Sequence, residues 1–300
     1  MAYAAASCVD AEQPRMKSIL ISGVSTGIGH GAASELCRRG YRVFGSIRDP
    51  LQAAPLKREL GPHFVPVTFD VTDPDAIKAA MADIEKETNG TGLFGLVNNA
   101  GISLPGPLTS LSTDSLRQHF EVNVIGVLNM VQAALPLLRC QTPGPPGRII
   151  NISSLSGRIA YPFMGPYAAS KHALEALSDS LRRELLVYGV DVIVIEPGAI
   201  DTPIWDKAAH IRTAFSDTDY GPVLQHVDLL AQRPASLPVA VVSRCIVNAL
   251  TARRPKTRYP IPDQPFRYWL LPRVLPDRWL DRVIDRMLNF QSVRDALRRP

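Results

Sequence analysis

Short apolar, β-branched runs alternate with helix-patterned stretches along most of this chain, and that alternation constrains its fold more than any other feature. Six runs read as strands: Lys17–Ser22, Tyr41–Ser46, Phe64–Phe69, Gly95–Asn98, Arg148–Ile152 and Val190–Ile195. Between them the spacing predicts helices, notably over Ala32–Arg39, Asp75–Glu87, Asp114–Leu138 and Tyr167–Val187. Strands separated by helices join through crossovers rather than hairpins, which predicts an α/β chain with a mostly parallel, doubly wound sheet. Runs such as Val192–Ile195, apolar at every position, fit burial on both faces. Pro66 has no N–H to give a ladder and belongs on an edge strand. In the doubly wound order 3-2-1-4-5-6 the third strand is an edge, so Pro66 is tolerated there.

The first strand runs directly into a glycine-rich turn, Gly23, Val24, Ser25, Thr26, Gly27, Ile28 and Gly29, with Gly40 placed to end the helix that follows. A strand, a glycine turn and a helix N-terminus together can seat a pyrophosphate on backbone amides, because glycine allows close approach. The spacing here differs from the usual dinucleotide fingerprint, and a tight turn without a ligand is the alternative. Further along, Tyr167 and Lys171 stand four residues apart. On a helix such a pair shares a face, so an ammonium can lie beside a phenol and bring it towards the range of a general acid/base.

Together these residues resemble the short-chain dehydrogenase/reductase family. Ser22 to Gly29 is similar to its cofactor loop, with Ser22 in place of the usual Thr. Asn98, Asn99, Ala100 and Gly101 match the segment after the fourth strand, and Asn123 falls at the active-site Asn. Ser154 precedes Tyr167 by thirteen residues, the family spacing for the catalytic Ser, and Pro197, Gly198 and Thr202 match a further motif. The five motifs occur in order across Lys17 to Arg254.

The resemblance implies a single Rossmann-type domain over 17–254, with a seventh strand near Thr257–Tyr259 and the order 3-2-1-4-5-6-7. It implies hydride transfer between a nicotinamide and a carbonyl carbon. Tyr167 would move the proton, Lys171 would lower the Tyr167 pKa and hold the nicotinamide ribose, and Ser154 would stabilise the charge growing on the oxygen. Asn123 would hold a relay water behind Lys171. Cofactor contacts would come from Gly23, Ser25, Thr26, Gly27, Ile28 and Gly29, and from Asn98, Ala100 and Gly101. Asp70 and Val71 would meet adenine, Tyr167 and Lys171 the ribose, and Pro197, Gly198 and Thr202 the carboxamide. Asp70 could instead cap the next helix, although Asp73 is better placed. Ser153 should point away from the site.

At the end of the second strand, NAD-specific sites place a carboxylate against the ribose hydroxyls. Ile47 stands there, followed by Arg48, whose guanidinium can fork onto a 2′-phosphate. This favours NADP(H) over NAD(H), with capture of Arg48 by Asp49 as the competing outcome. An NAD-dependent oxidant and a cofactor-sensing binding protein are the rival functions. The complete Asn123, Ser154, Tyr167 and Lys171 set argues against a sensor, which needs no proton donor.

In the family, the segment 202–237 forms a flap over the substrate. Here it carries Ile204, Trp205, Ile211, Phe215, Tyr220, Leu224, Leu229 and Leu230, which favours a hydrophobic ketone or alcohol. The tail at 255–300 exceeds the usual family length. Within it Trp279, Leu280, Val283, Ile284, Met287 and Leu288 form one apolar helix face, opposite Asp281, Arg282, Asp285 and Arg286. Such tails resemble those of steroid- and retinol-active relatives. Either the helix docks on the body, closing the pocket or a subunit interface, or it makes a peripheral membrane contact. The family also implies a homodimer or homotetramer, paired through the helices at Asp114–Leu138 and Tyr167–Val187.

Composition narrows the classes. The net charge is +5, but from Arg253 onward 12 Arg and Lys face 5 Asp, so the remainder nets −2. No basic patch with interleaved aromatics lies on a recognisable motif, and a nucleic-acid role gains no support. Cys8, Cys37, Cys140 and Cys245 are scattered without metal-ligand spacing, which predicts reduced thiols, a cytoplasmic setting and no bound metal. The first sixteen residues lack a basic start and a long apolar run, and read as a disordered lead-in rather than a signal peptide. Residues 142–147 read as a proline-glycine surface turn, and no apolar run is long enough to predict a membrane span.

Overall fold

Seven parallel strands form one sheet in a computed structural model that describes residues 16–139, 144–204, 211–226 and 236–298. They are β1 (Ser18–Ile21), β2 (Arg42–Ile47), β3 (Phe64–Thr68), β4 (Gly95–Asn98), β5 (Arg148–Ile152), β6 (Val192–Pro197) and β7 (Arg258–Ile261). Their order is β3-β2-β1-β4-β5-β6-β7, as expected, and every pairing is parallel. Pro66 sits on the edge strand β3, opposite Gly45 of β2. Residues 1–15, Cys140, Thr142, Pro143, Trp205, Leu229 and Leu230 lie outside the described residues, as does the side chain of Tyr268.

Helices cover both faces. They are α1 (Gly27–Arg38), α2 (Ala53–Leu60), α3 (Pro74–Thr88), α4 (Thr113–Phe120), α5 (Gly126–Arg139), α6 (Gly165–Glu184), α7 (Ile211–Ala214), α8 (Gly221–His226), α9 (Val239–Thr251), α10 (Leu271–Val274), α11 (Asp277–Leu288) and α12 (Phe290–Leu297). Side chains alternate along a strand, so Ile19 and Ile21 of β1 point to one face and Leu20 to the other. The first face meets Ala32 and Leu36 of α1 with Val242, Ile246 and Leu250 of α9. The second meets Ile77 and Met81 of α3, Met130 and Ala134 of α5, and Leu174 of α6. Each fully buried Leu or Ile stabilises the fold by about 1.5–3 kcal/mol, so the two layers supply most of the drive for folding.

Local chemistry explains several boundaries. α1 begins at Gly27, five residues before the predicted start at Ala32, because the helix uses glycines that its packing and the loop both require. Asp73 caps α3, accepting from the amides of Asp75 and Ala76. The long helix predicted over Asp114–Leu138 is interrupted by a π-helical segment, Glu121–Ile125, between α4 and α5. By length and composition the run Thr113–Arg139, with a mean hydropathy of 1.4, reaches that of a membrane span, although none was expected. In this structure α5 buries Val127, Met130, Val131 and Ala134 against the sheet.

A third apolar cluster lies beyond the sheet. Phe163 meets Ile211, Val223 and Leu224 of the 202–237 segment and Leu288 and Val293 of the tail. The tail is therefore docked on that segment through part of α11 and α12. The rest of its apolar surface faces outward: Phe266, Leu270, Val274, Trp279 and Val283 are exposed.

Candidate functional site

The glycine loop is shaped by steric necessity. Gly23 and Gly27 hold φ of +71° and +61°, a region that side-chain-bearing residues rarely enter. A Cβ on Gly29 would lie 2.2 Å from the Gly23 carbonyl oxygen and 2.4 Å from Asn99 Nδ2. Ser22 Oγ accepts from the amides of Asn99 and Ala100, both at 3.0 Å, which ties the loop to the end of β4. Asn99 Nδ2 returns bonds to the carbonyls of Ser22 and Gly23. Thr26 precedes α1 without a side-chain cap, and no acidic residue lies in the first turn. Uncapped amides, close backbone approach and absent negative charge suit an anionic pyrophosphate, so a dinucleotide fits this chain.

Gly23, Ser25, Thr26, Gly27 and Ile28 line one cavity of about 1310 Å³, and Ala100, Gly101, Pro197, Gly198 and Thr202 join them. Gly29 stays behind the loop, and Asn98 is turned into the sheet, its Nδ2 donating to Asn151 Oδ1 at 2.8 Å. Its neighbour Asn99 reaches the cavity instead. At the far end, Ile47, Arg48, Asp70 and Val71 line the same space. Asp49 does not capture Arg48: its side chain accepts from the Leu51 amide. Arg48 stays 79% exposed, with Nη1 only at 4.0 Å from Asp70 Oδ2. Asp70 Oδ1 accepts from the Thr72 amide and hydroxyl, and leaves the capping of α3 to Asp73.

At the other end stand Ser154, Tyr167 and Lys171, all on the cavity wall. Ser154 follows β5, and its Oγ accepts from the Ser156 amide while hydrogen-bonding the Tyr167 phenol. The hydroxyl of Ser153 is buried without a hydrogen-bond partner among the described residues. Lys171, buried, donates to the Ile152 carbonyl at 2.8 Å, and its Nζ lies 5.8 Å from the Tyr167 ring centre. Burial pushes Lys171 down to about 8, with the Glu175 charge opposing. The direction for Tyr167 corrects the expectation: packing around the hydroxyl raises the phenol, and the opposing pull comes from Ser154 rather than Lys171.

Asn123 is fully buried in the π-helical segment and does not line the cavity. Its Oδ1 accepts from the Ile102 amide, and its Nδ2 donates to the Ile102 carbonyl and to Ser170 Oγ. The side chain thus clamps the loop after β4 to α6, a role the residue's position in the sequence did not reveal. The apolar wall comes from Leu155, Phe163 and Ile204, and from Ile284, Met287 and Leu288 of the tail. Gln118, Asp263, Gln264 and Asn289 also reach the cavity. No sequence motif marks these positions, because separate segments bring them there.

The chain matches the family described as short chain dehydrogenase over residues 17–212. It is 37% identical to an NADPH-dependent 3-dehydrocapnine reductase of Ornithobacterium rhinotracheale, over 89% of this chain and 96% of that protein. It is 35% identical to human retinol dehydrogenase 5, over 89% of this chain and 87% of the relative. Among solved structures, a short-chain dehydrogenase from Streptomyces avermitilis superposes with a TM-score of 0.71 at 25% identity, covering 94% of this chain and 99% of that one. Motifs, sheet order and relatives agree: this chain is an oxidoreductase of the short-chain dehydrogenase/reductase family.

Proposed function

We propose that this protein is an NADP(H)-dependent carbonyl reductase or alcohol dehydrogenase for a hydrophobic substrate of steroid or retinoid type. The observation that carries the reading is one shared wall: Ser154, Tyr167 and Lys171 line the cavity that also holds the glycine loop and the apolar side chains of flap and tail. The absence of a carboxylate at Ile47 and the outward Arg48 guanidinium support NADP(H), as does the NADPH dependence named for the 37% identical reductase.

When bound, the reduced nicotinamide supplies the hydride. Ser154 donates a hydrogen bond to the substrate oxygen, where negative charge grows, and stabilises it there. Tyr167 gives that oxygen its proton, and takes it back in the alcohol-oxidising direction. Lys171 presents a buried cation behind the phenol and would hold the ribose of a bound nicotinamide. Asn123 keeps α6 and the Ile102 loop in register, so that both groups face the same point. The wall formed by Leu155, Phe163, Ile284 and Leu288 excludes water and takes up the apolar part of the substrate.

The outward apolar surface at Phe266, Leu270, Val274 and Trp279 supports a peripheral membrane contact that complements docking of the tail. We read the assembly as a homodimer or homotetramer paired through α4 and α5 on one side and α6 on the other.

The experiment is a panel of aliphatic, steroidal and retinoid ketones and alcohols with NADPH and NADP+, comparing wild type with Tyr167→Phe. The variant should keep NADPH affinity and lose about 10²–10⁴-fold in turnover. Equal rates would overturn the mechanism, and NADPH binding without hydride loss to any ketone would favour a sensor.

A further inference from the structure

Behind Lys171, on the side away from the cavity, lies a buried group of charges outside the motifs. Glu175 follows Lys171 by one turn of α6 and is 4% exposed; Glu196, inside β6, is fully buried. Arg158 bridges them, its Nη2 donating to Glu175 Oε2 and its Nε to Glu196 Oε1, both at 3.0 Å. Arg258 of β7 adds a second clamp: Nε donates to the same Glu175 oxygen at 3.0 Å, and Nη2 lies 2.9 Å from Asp179 Oδ1. Glu175 Oε1 and Glu196 Oε2 have no hydrogen-bond partner among the described residues.

Stability is a weak explanation for such an arrangement. Buried ion clusters are often matched or improved upon by apolar side chains of similar volume, since desolvation offsets their attraction. The packing is close as well as charged. A Cβ on Gly157 would lie 3.0 Å from Glu175 Cγ and 3.1 Å from the Lys171 carbonyl oxygen, so the turn carrying Arg158 presses directly on both residues.

We propose that Glu175, clamped by Arg158 and Arg258, is a positioning residue whose negative charge keeps the buried Lys171 ammonium protonated behind Tyr167. The proposal rests on the role given above to Tyr167 and Lys171. Lys171 and Glu175 share one face of α6. Around the ammonium stand the Ile152 carbonyl, 2.8 Å from Nζ, and the Tyr167 ring, centred 5.8 Å away, while Nζ and Asn123 Oδ1 both lie close to Gly101. None of these is a carboxylate; Glu175 supplies that charge. Glu196 is pushed upward by burial and by the charge of Glu175, so the second carboxyl of the pair takes up a proton more readily. The field of Glu175 opposes the burial that draws Lys171 down to about 8.

The test follows NADPH affinity, by nucleotide fluorescence, and turnover of the fastest panel ketone from about pH 6 to 10. In Glu175→Gln the alkaline limb of both should move down by at least about half a unit, a threefold or greater loss above the limb with near parity below it. Arg258→Gln, which removes a neighbouring positive charge, should move the limb upward. Opposite displacements are the signature of charge, because mere destabilisation would lower both variants alike. A uniform loss at every pH, or limbs that stay in place, would overturn the proposal. If Glu175→Gln fails to fold, Glu175→Asp and Arg258→Gln carry the test, with the Asp variant expected to keep the wild-type limb. If Tyr167→Phe retains turnover, the underlying mechanism fails, while the pH dependence of NADPH affinity still decides the role of Glu175.

Discussion

The two ends of the cavity are built by different physics. The end at β1 and β2 is built around backbone: positive φ at Gly23 and Gly27, no room for a Cβ at Gly29, and hydrogen bonds in which the Ser22 hydroxyl accepts from backbone amides and the Asn99 side chain donates to backbone carbonyls. The end beside Tyr167 is walled by side chains from separate segments, joined in the cluster of Phe163, Leu224, Leu288 and Val293. Phe163 itself holds a φ of +67°, strained for an aromatic residue, and keeps its ring edge-on to Tyr220 and Phe290. A backbone-built site tolerates almost no change of shape. A site lined by apolar side chains can be remodelled, which suits one cofactor serving varied substrates.

The sharpest way to break this contrast is Gly29→Ala. The added methyl forces the loop to move, at about 1–3 kcal/mol of overpacking, and should raise the NADPH Kd about a hundredfold. Unchanged NADPH fluorescence titrations would show that the loop is softer than its contacts imply. Next, Leu288→Ala at the opposite end should raise the KM for a hydrophobic ketone about tenfold, through loss of a buried contact worth about 2–5 kcal/mol, shared between lid packing and substrate. NADPH affinity should stay as it was, and a parallel loss would mean that the two ends are mechanically coupled. Arg48→Asp tests the cofactor end more gently. It should reduce the preference for NADPH over NADH by about tenfold, and isothermal titration with each nucleotide checks it.

The smallest effect concerns pH and the loop after β4. His119 is fully buried, its Nε2 accepting from the Leu104 amide at 3.0 Å and its Nδ1 lying 2.6 Å from the Ser115 carbonyl. The ring is held with its proton on Nδ1, and burial lowers its pKa from 6.5. The unfolded chain therefore binds the proton first as pH falls. The stability contributed is complete above about 6.5 and is lost as the pH drops through the lowered folded value. Thermal melts between about pH 8 and 5 should show Tm falling in that window, with a flatter dependence in His119→Gln. Equal slopes would remove His119 from the account.

Legibility followed the same division. Gly23, Gly27, Tyr167 and Lys171 could be found because backbone sterics and helical spacing act over a few residues. α1 was predicted to start late because glycine disfavours helix interiors, while here loop and packing use those same glycines. The motif places Asn98 among the cofactor residues, whereas Asn99 is the one that lines the cavity, since the strand continues to Asn98 and turns its side chain into the sheet. The π-helical segment around Asn123 has no local signature, and the partners of that side chain, Ile102 and Ser170, lie far from it in the chain. Nothing near Glu175 in the sequence announces Arg158, Glu196 and Arg258, which meet it only once β6 and β7 lie side by side.

By itself the sequence determined the alternation of strand and helix and the cradle for a dinucleotide, which rest on short-range periodicity and on the geometry of glycine; the sheet order came through the resemblance of its motifs to a family. Tertiary structure alone decided which side chains of flap and tail wall the substrate space, which charges stand behind Lys171, and how the tail divides its surface between docking and exposure. Those outcomes depend on contacts between residues far apart in the chain, where burial and charge are set by neighbours that no local pattern names.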